Sequence, residues 1–62
     1  MIAVGIDVSK SKSTVAILNS DGSLRIKPYD MKHNHPEMNA LINYLNELDE
    51  PIIILMEYTG HY

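Results

Sequence analysis

Apolar and polar positions divide this chain into five segments. Ile2–Val8 is a short run of apolar, largely β-branched residues, the pattern of a buried strand, and Asp7 interrupts it near its end. A short "SKSK" turn leads to Ser13–Asn19 ("STVAILN"), again rich in β-branched residues. In "NSDGS", Asp21-Gly22 forms a turn signal, because glycine tolerates positive φ. Ser23–Asp30 then alternates Leu24, Ile26 and Pro28 against Arg25, Lys27 and Tyr29, which predicts a half-exposed strand hairpinned to the second, with Pro28 marking a sheet edge. Pro36 suits the first turn of a helix, with Asn34 or His35 at its cap. Met38, Leu41, Ile42, Leu45 and Leu48 recur at helical spacing, and the helix is expected to end near Asp49, since Pro51 cannot continue it. Ile52–Met56 ("IIILM") is a continuous apolar run suited to a parallel strand.

The predicted order is β-β-β-α-β. A right-handed crossover through the helix sets the fourth strand parallel to the first, giving an α/β fold with a mixed sheet ordered 3-2-1-4. This arrangement resembles the opening half of an RNase H-like fold, whose usual continuation is a helix, a fifth strand and a C-terminal helix. Residues 1–62 are accordingly expected to form the N-terminal portion of such a domain, incomplete as it stands.

Composition narrows this picture only a little. A 62-residue chain buries roughly 60% of its unfolded surface, so its core is marginal. With no cysteine, disulfides and thiolate metal sites are excluded, and a reducing cytosol is compatible. No secretory signal is discerned, and the longest apolar run is too short to span a bilayer. A net charge of −3 argues against a general electrostatic nucleic-acid binder, which carries a positive field. It leaves room for nucleic acid held through a divalent cation or by other domains.

The chemistry concentrates in two carboxylates. Asp7 ends the first strand and Glu57 ends the fourth. If these strands are parallel neighbours, their backbones lie roughly 4.8 Å apart, and both acids sit at the carboxyl ends of parallel strands, where open α/β sheets place their sites. Ala3 and Gly5 share the Asp7 face and leave room beside it. Two close carboxylates repel unless they share a proton or a cation, and oxygen-only ligands favour Mg²⁺ or Mn²⁺ over zinc. Taken singly, Asp7 reads equally as a cap on the "SKS" amides, and Glu57 as the first solvated residue after a buried run.

"VGIDVSK", followed by a hairpin, a helix and "MEYTGHY", resembles the N-terminus of the DEDD transposases of insertion-sequence family IS110, whose first domain is similar to the RuvC Holliday-junction resolvase. The shared motifs are a Gly-Ile/Val-Asp-Val-Ser/Ala-Lys opening and a Met-Glu-x-Thr-Gly-x-Tyr segment, and the resemblance spans the whole chain. Tyr58 stands where a small residue or proline is more usual. The resemblance implies a DNA transposase or recombinase of prokaryotic cytoplasm. Asp7 and Glu57 would be the catalytic, metal-binding first two acids of a D-E-D-D tetrad holding Mg²⁺ or Mn²⁺, with the two aspartates in sequence absent here. It also implies DNA, and a structured guide RNA, as partners of the full-length protein, and a downstream domain with a serine used in strand exchange. The isolated chain is expected to be inactive and to self-associate as a homodimer or higher oligomer.

Lys10, Thr59 and Gly60 belong to the motifs and are candidate nucleic-acid contacts. A strand followed by Thr-Gly can present amides to phosphate. Lys12 reads as a solvated turn lysine, His33 and His35 as loop and cap residues, and Tyr44 as packing. Two other functions fit the pattern less well. An actin-like ATPase or sugar kinase also opens with a strand, an aspartate and a hairpin, yet "DVSKSKS" lacks the glycine such folds use around phosphate. A non-enzymatic interaction module leaves the carboxylate pair unexplained.

Overall fold

The computed structural model describes residues 1–58. Strands β1 (Ile2–Val8), β2 (Lys12–Leu18) and β3 (Leu24–Lys32) precede helix α1 (His35–Glu47) and strand β4 (Ile52–Tyr58). They form one mixed sheet in the order β3-β2-β1-β4. β1 pairs antiparallel with β2 and parallel with β4. The α/β class, the element order and the strand order therefore match the sequence reading.

Local chemistry explains each junction. Ser9 and Lys12 close the β1–β2 turn, with the Ser9 amide donating to the Lys12 carbonyl at 2.9 Å. Between β2 and β3, Gly22 takes φ 88°, a conformation that glycine adopts without a Cβ penalty. Asp21 caps that turn, accepting from the Ser23 amide at 2.9 Å and the Ser23 hydroxyl at 2.6 Å. Asn34 is the N-cap of α1, accepting from the Glu37 amide at 3.0 Å, while its own side-chain amide donates to Glu37 at 3.1 Å. This is the reciprocal logic of a capping box. The helix stops slightly earlier than the spacing suggested, at Glu47, and Leu48 bonds back to the Leu45 carbonyl as its C-cap.

The core lies between α1 and one sheet face. Ile2 and Val4 of β1, Val15 and Ile17 of β2, Met31 of β3, and Leu41 and Leu45 of α1 are buried together. Within the helical stripe, Met38 and Ile42 remain about half exposed (44% and 51%). They line an apolar cleft that continues onto Ile54, Met56 and Tyr58 of β4. Ser13 is buried at 3% exposure, and its hydroxyl hydrogen-bonds His33 Nε2 at 2.9 Å, which satisfies a polar group that would otherwise be costly to bury. Tyr44 packs against the core, and its hydroxyl also accepts from Arg25 Nε at 3.0 Å.

β3 departs from simple alternation. Leu24 pairs with Leu18 and Ile26 with Ile17, but Tyr29 pairs with Val15, through two register shifts along β2. Each shift moves the following residues to the other face. Tyr29 and Met31 therefore join the helix-covered side, and Leu24 and Ile26 do not share a face as their spacing suggested.

Candidate functional site

Side chains alternate across the sheet, so the residues between the core positions make up the opposite face. On β1 these are Ala3, Gly5 and Asp7. Asp7 and Glu57 are direct register partners on adjacent parallel strands, with backbones roughly 4.8 Å apart. Both are exposed, and both line one shallow concavity of about 320 Å³ together with Gly5, Thr14, Ala16, Pro28 and Leu55. The small residues Gly5 and Ala16 form its floor. Beside Gly5, an added Cβ would meet only the Ala16 carbonyl oxygen, at 4.0 Å.

The same row continues across the sheet. Asp7 pairs with Thr14, and Thr14 with Asp30. Thr14 Oγ1 donates to Asp30 Oδ1 at 3.3 Å, and Lys12 Nζ donates to Asp30 Oδ2 at 2.9 Å. The Lys12 hydrogen bond and charge, assisted by Thr14, hold the Asp30 carboxyl below its ordinary pKa. Thus Lys12 is the first residue of β2 and is ion-paired, which corrects its reading as a solvated turn lysine. Lys10 is exposed in the turn beyond Asp7, two residues before Lys12. Thr59 and Gly60 lie outside the described residues.

The Thr14–Asp30–Lys12 chain had escaped the sequence reading. Continued unbroken from Leu18 opposite Leu24, the hairpin register sets Pro28 against Thr14, and the two shifts substitute Asp30. The Ser13–His33 bond likewise depends on chain segments that only the folded sheet brings together.

Asp7 and Glu57 fit a hard divalent cation in donor chemistry, since carboxylate oxygens suit Mg²⁺ and Mn²⁺. Two carboxylates alone are a sparse set of donors: among the described residues no group of three or more His, Cys, Asp or Glu gathers to hold a metal. Nor is any helix among them long and apolar enough to cross a membrane.

Comparison with curated proteins and with solved structures finds no match. A family model does match, that of the DEDD transposases of IS110 elements, described as a transposase, and it covers residues 4–62. The match takes in both strands that carry the paired acids and the helix that connects them, so the chain belongs to the IS110 DEDD transposase family.

Proposed function

We propose that Asp7 and Glu57 hold a divalent cation, Mg²⁺ or Mn²⁺, and that this chain contributes the first two acids of a site for cleaving and joining DNA phosphodiester bonds in transposition. The observation that supports this reading is their register match on neighbouring parallel strands, on the sheet face opposite the core. The two carboxylates bind the ion and offset each other's repulsion through it. When bound, such an ion stabilises charge on the attacking and leaving oxygens of a phosphodiester. Small residues at Gly5 and Ala16 keep the floor beneath the acids low enough for a backbone to approach. The remaining acids, the DNA target and any guide RNA belong to the full-length protein.

Paramagnetic broadening by Mn²⁺ tests the assignment. In an NMR titration of the chain, signals of Asp7 and Glu57 should broaden first, weakly, because two carboxylates are a poor cage. Asp7→Asn and Glu57→Gln should each abolish that focus. Broadening centred on other acids, such as Asp21 or Glu50, would defeat the reading. The isolated chain should show no metal-dependent DNA nicking. Nicking that survives purification controls and is lost in Asp7→Asn would show that the two acids suffice, against this expectation.

A further inference from the structure

The chain is acidic overall, at −3, yet its few basic residues are unevenly placed. Of the five lysines and arginines, three (Lys10, Lys12 and Lys32) lie at the end of the sheet where Asp7 and Glu57 sit. Lys12 and Lys32 are register partners on β2 and β3, and Lys12 lies two residues beyond Thr14, the partner of Asp7. Alternation therefore puts both on the Asp7 face. Strand spacing and rise place the Cα of Lys12 roughly 8 Å from that of Asp7.

Lys12 is also held in place. Asp30 accepts from it at 2.9 Å and is itself braced by Thr14 at 3.3 Å. Exposed ion pairs add only modestly to stability, so the pair's share in folding leaves room for a second role. An ammonium has three donors. Asp30 takes one, and the Lys12 side chain stays 52% exposed, leaving donors for an anion arriving from the open face.

We infer that Lys12, held by Asp30, and its neighbour Lys32 bind a backbone phosphate of the DNA strand next to the phosphate engaged at Asp7 and Glu57. This rests on the proposed function, because it takes the strand's path from that pair. The row then has two parts. Acids at one end take the cation and, through it, one phosphate. Ammonium groups at the other take a neighbouring phosphate directly and fix the strand's direction across the sheet.

The test uses the 62-residue chain, a short single-stranded oligodeoxynucleotide and Mg²⁺, with affinity followed by fluorescence anisotropy across salt concentrations. Each single-strand phosphate contact contributes about −0.7 to the slope of log affinity against log salt. Lys12→Ala should flatten the slope by about 0.7 and weaken binding roughly fivefold at 0.1 M salt relative to its effect at 1 M. Lys12→Ala combined with Lys32→Ala should flatten it by about 1.4. Lys12→Arg should restore the wild-type slope, since it keeps the charge. Circular dichroism should show all variants folded, because both lysines are exposed. The Mn²⁺ titration separates the two ideas: the lysine variants should keep broadening at Asp7 and Glu57. Wild-type affinity and slope in the double variant, with Mn²⁺ still focused on the acids, would overturn the phosphate contact and leave the metal site standing. Loss of that Mn²⁺ focus in the wild-type chain would overturn the site itself.

Discussion

Gly5 offers a sharp test of how the open face is built. It lies in the middle of β1, between Ala16 of β2 and Leu55 of β4. Glycine inside a strand is ordinarily a cost, through backbone entropy and the missing side chain. Neither conformation nor crowding requires it here: the positive-φ glycine among the described residues is Gly22, and a Cβ on Gly5 would touch only the Ala16 carbonyl oxygen, at 4.0 Å, an ordinary contact. Gly5→Ala should therefore stabilise the fold by about 0.5–1 kcal/mol, mostly by restricting the unfolded chain. Gly5→Val should reach the upper end of that range or slightly beyond, since β-branched residues fit a pleated surface. For a domain of this size, 1 kcal/mol corresponds to roughly 8 °C in Tm, and thermal melts followed by circular dichroism resolve that easily. The same valine would fill the floor beside Asp7 and Thr14, so oligonucleotide binding should weaken while Mn²⁺ focusing persists. A Val variant that melts below wild type would refute the reasoning, because it would mean the strand needs glycine for its own packing.

Further expectations concern the cap, the charges and the exposed edge. Asn34→Ala removes an acceptor for the Glu37 amide and should cost about 1 kcal/mol in urea unfolding, while Asn34→Asp should retain most of the stability. Asp21, Asp30 and Glu37 all have pKa values lowered by partners that favour their ionised forms: the Ser23 hydroxyl for Asp21, Lys12 for Asp30 and the Lys32 amide for Glu37. Their stabilisation is present above the ordinary carboxylate range, near pH 4, and is lost as pH falls through the depressed values. The acid limb of the stability curve should flatten when all three are replaced by Asn or Gln. Tyr29 is pushed up by burial and by Glu37, so its share is present below about pH 10 and lost above; Tyr29→Phe should flatten that alkaline limb. β4 exposes Ile53, Ile54, Leu55 and Met56 at 42–60%, whereas the opposite edge strand carries Arg25, Lys27, Pro28, Asp30 and Lys32, the residues that discourage edge pairing. The chain should therefore dimerise through β4 in sedimentation experiments, and Ile54→Lys should shift it toward monomer; a wild-type monomer at high concentration would count against this.

What the sequence disclosed follows from how local each signal is. Ile2–Val8, the Asp21-Gly22 turn, the Asn34–Pro36 helix start and the "IIILM" run each state their structure within a few residues. The crossover rule then brings β4 beside β1 and Glu57 to the same end of the sheet as Asp7, while their residue-for-residue match is seen only in the folded ladder. The role of β3 was hidden, since its two one-residue shifts carry no compositional mark beyond Pro28. They decide that Asp30, rather than Pro28, faces Thr14. The half-exposed Met38 and Ile42 were hidden for a related reason: helical periodicity marks an apolar stripe but does not say how much of the sheet the helix covers.

The makeup of the core has a consequence for how the acid pair is kept together. β4 supplies none of the fully buried residues, and only Ile52 packs partly against them. Its hold on the molecule is largely the backbone ladder to β1, a pairing of residues some 50 positions apart, Ile2 with Ile52. Its covalent tether to the rest is the short connection of residues 48–51 that follows α1. With so little side-chain packing behind it, β4 is expected to behave as a second, weaker unit beside the β1–β2–β3 meander with α1. In native-state hydrogen exchange, β4 amides should open at lower free energy than those of Val4 or Val15. Asp7 rides on the first unit and Glu57 on the second, so the acid pair exists only while β4 is docked. Any ligand that bridges the two acids draws on that docking equilibrium: its apparent affinity is reduced by the undocked fraction, and its binding in turn fastens the strand.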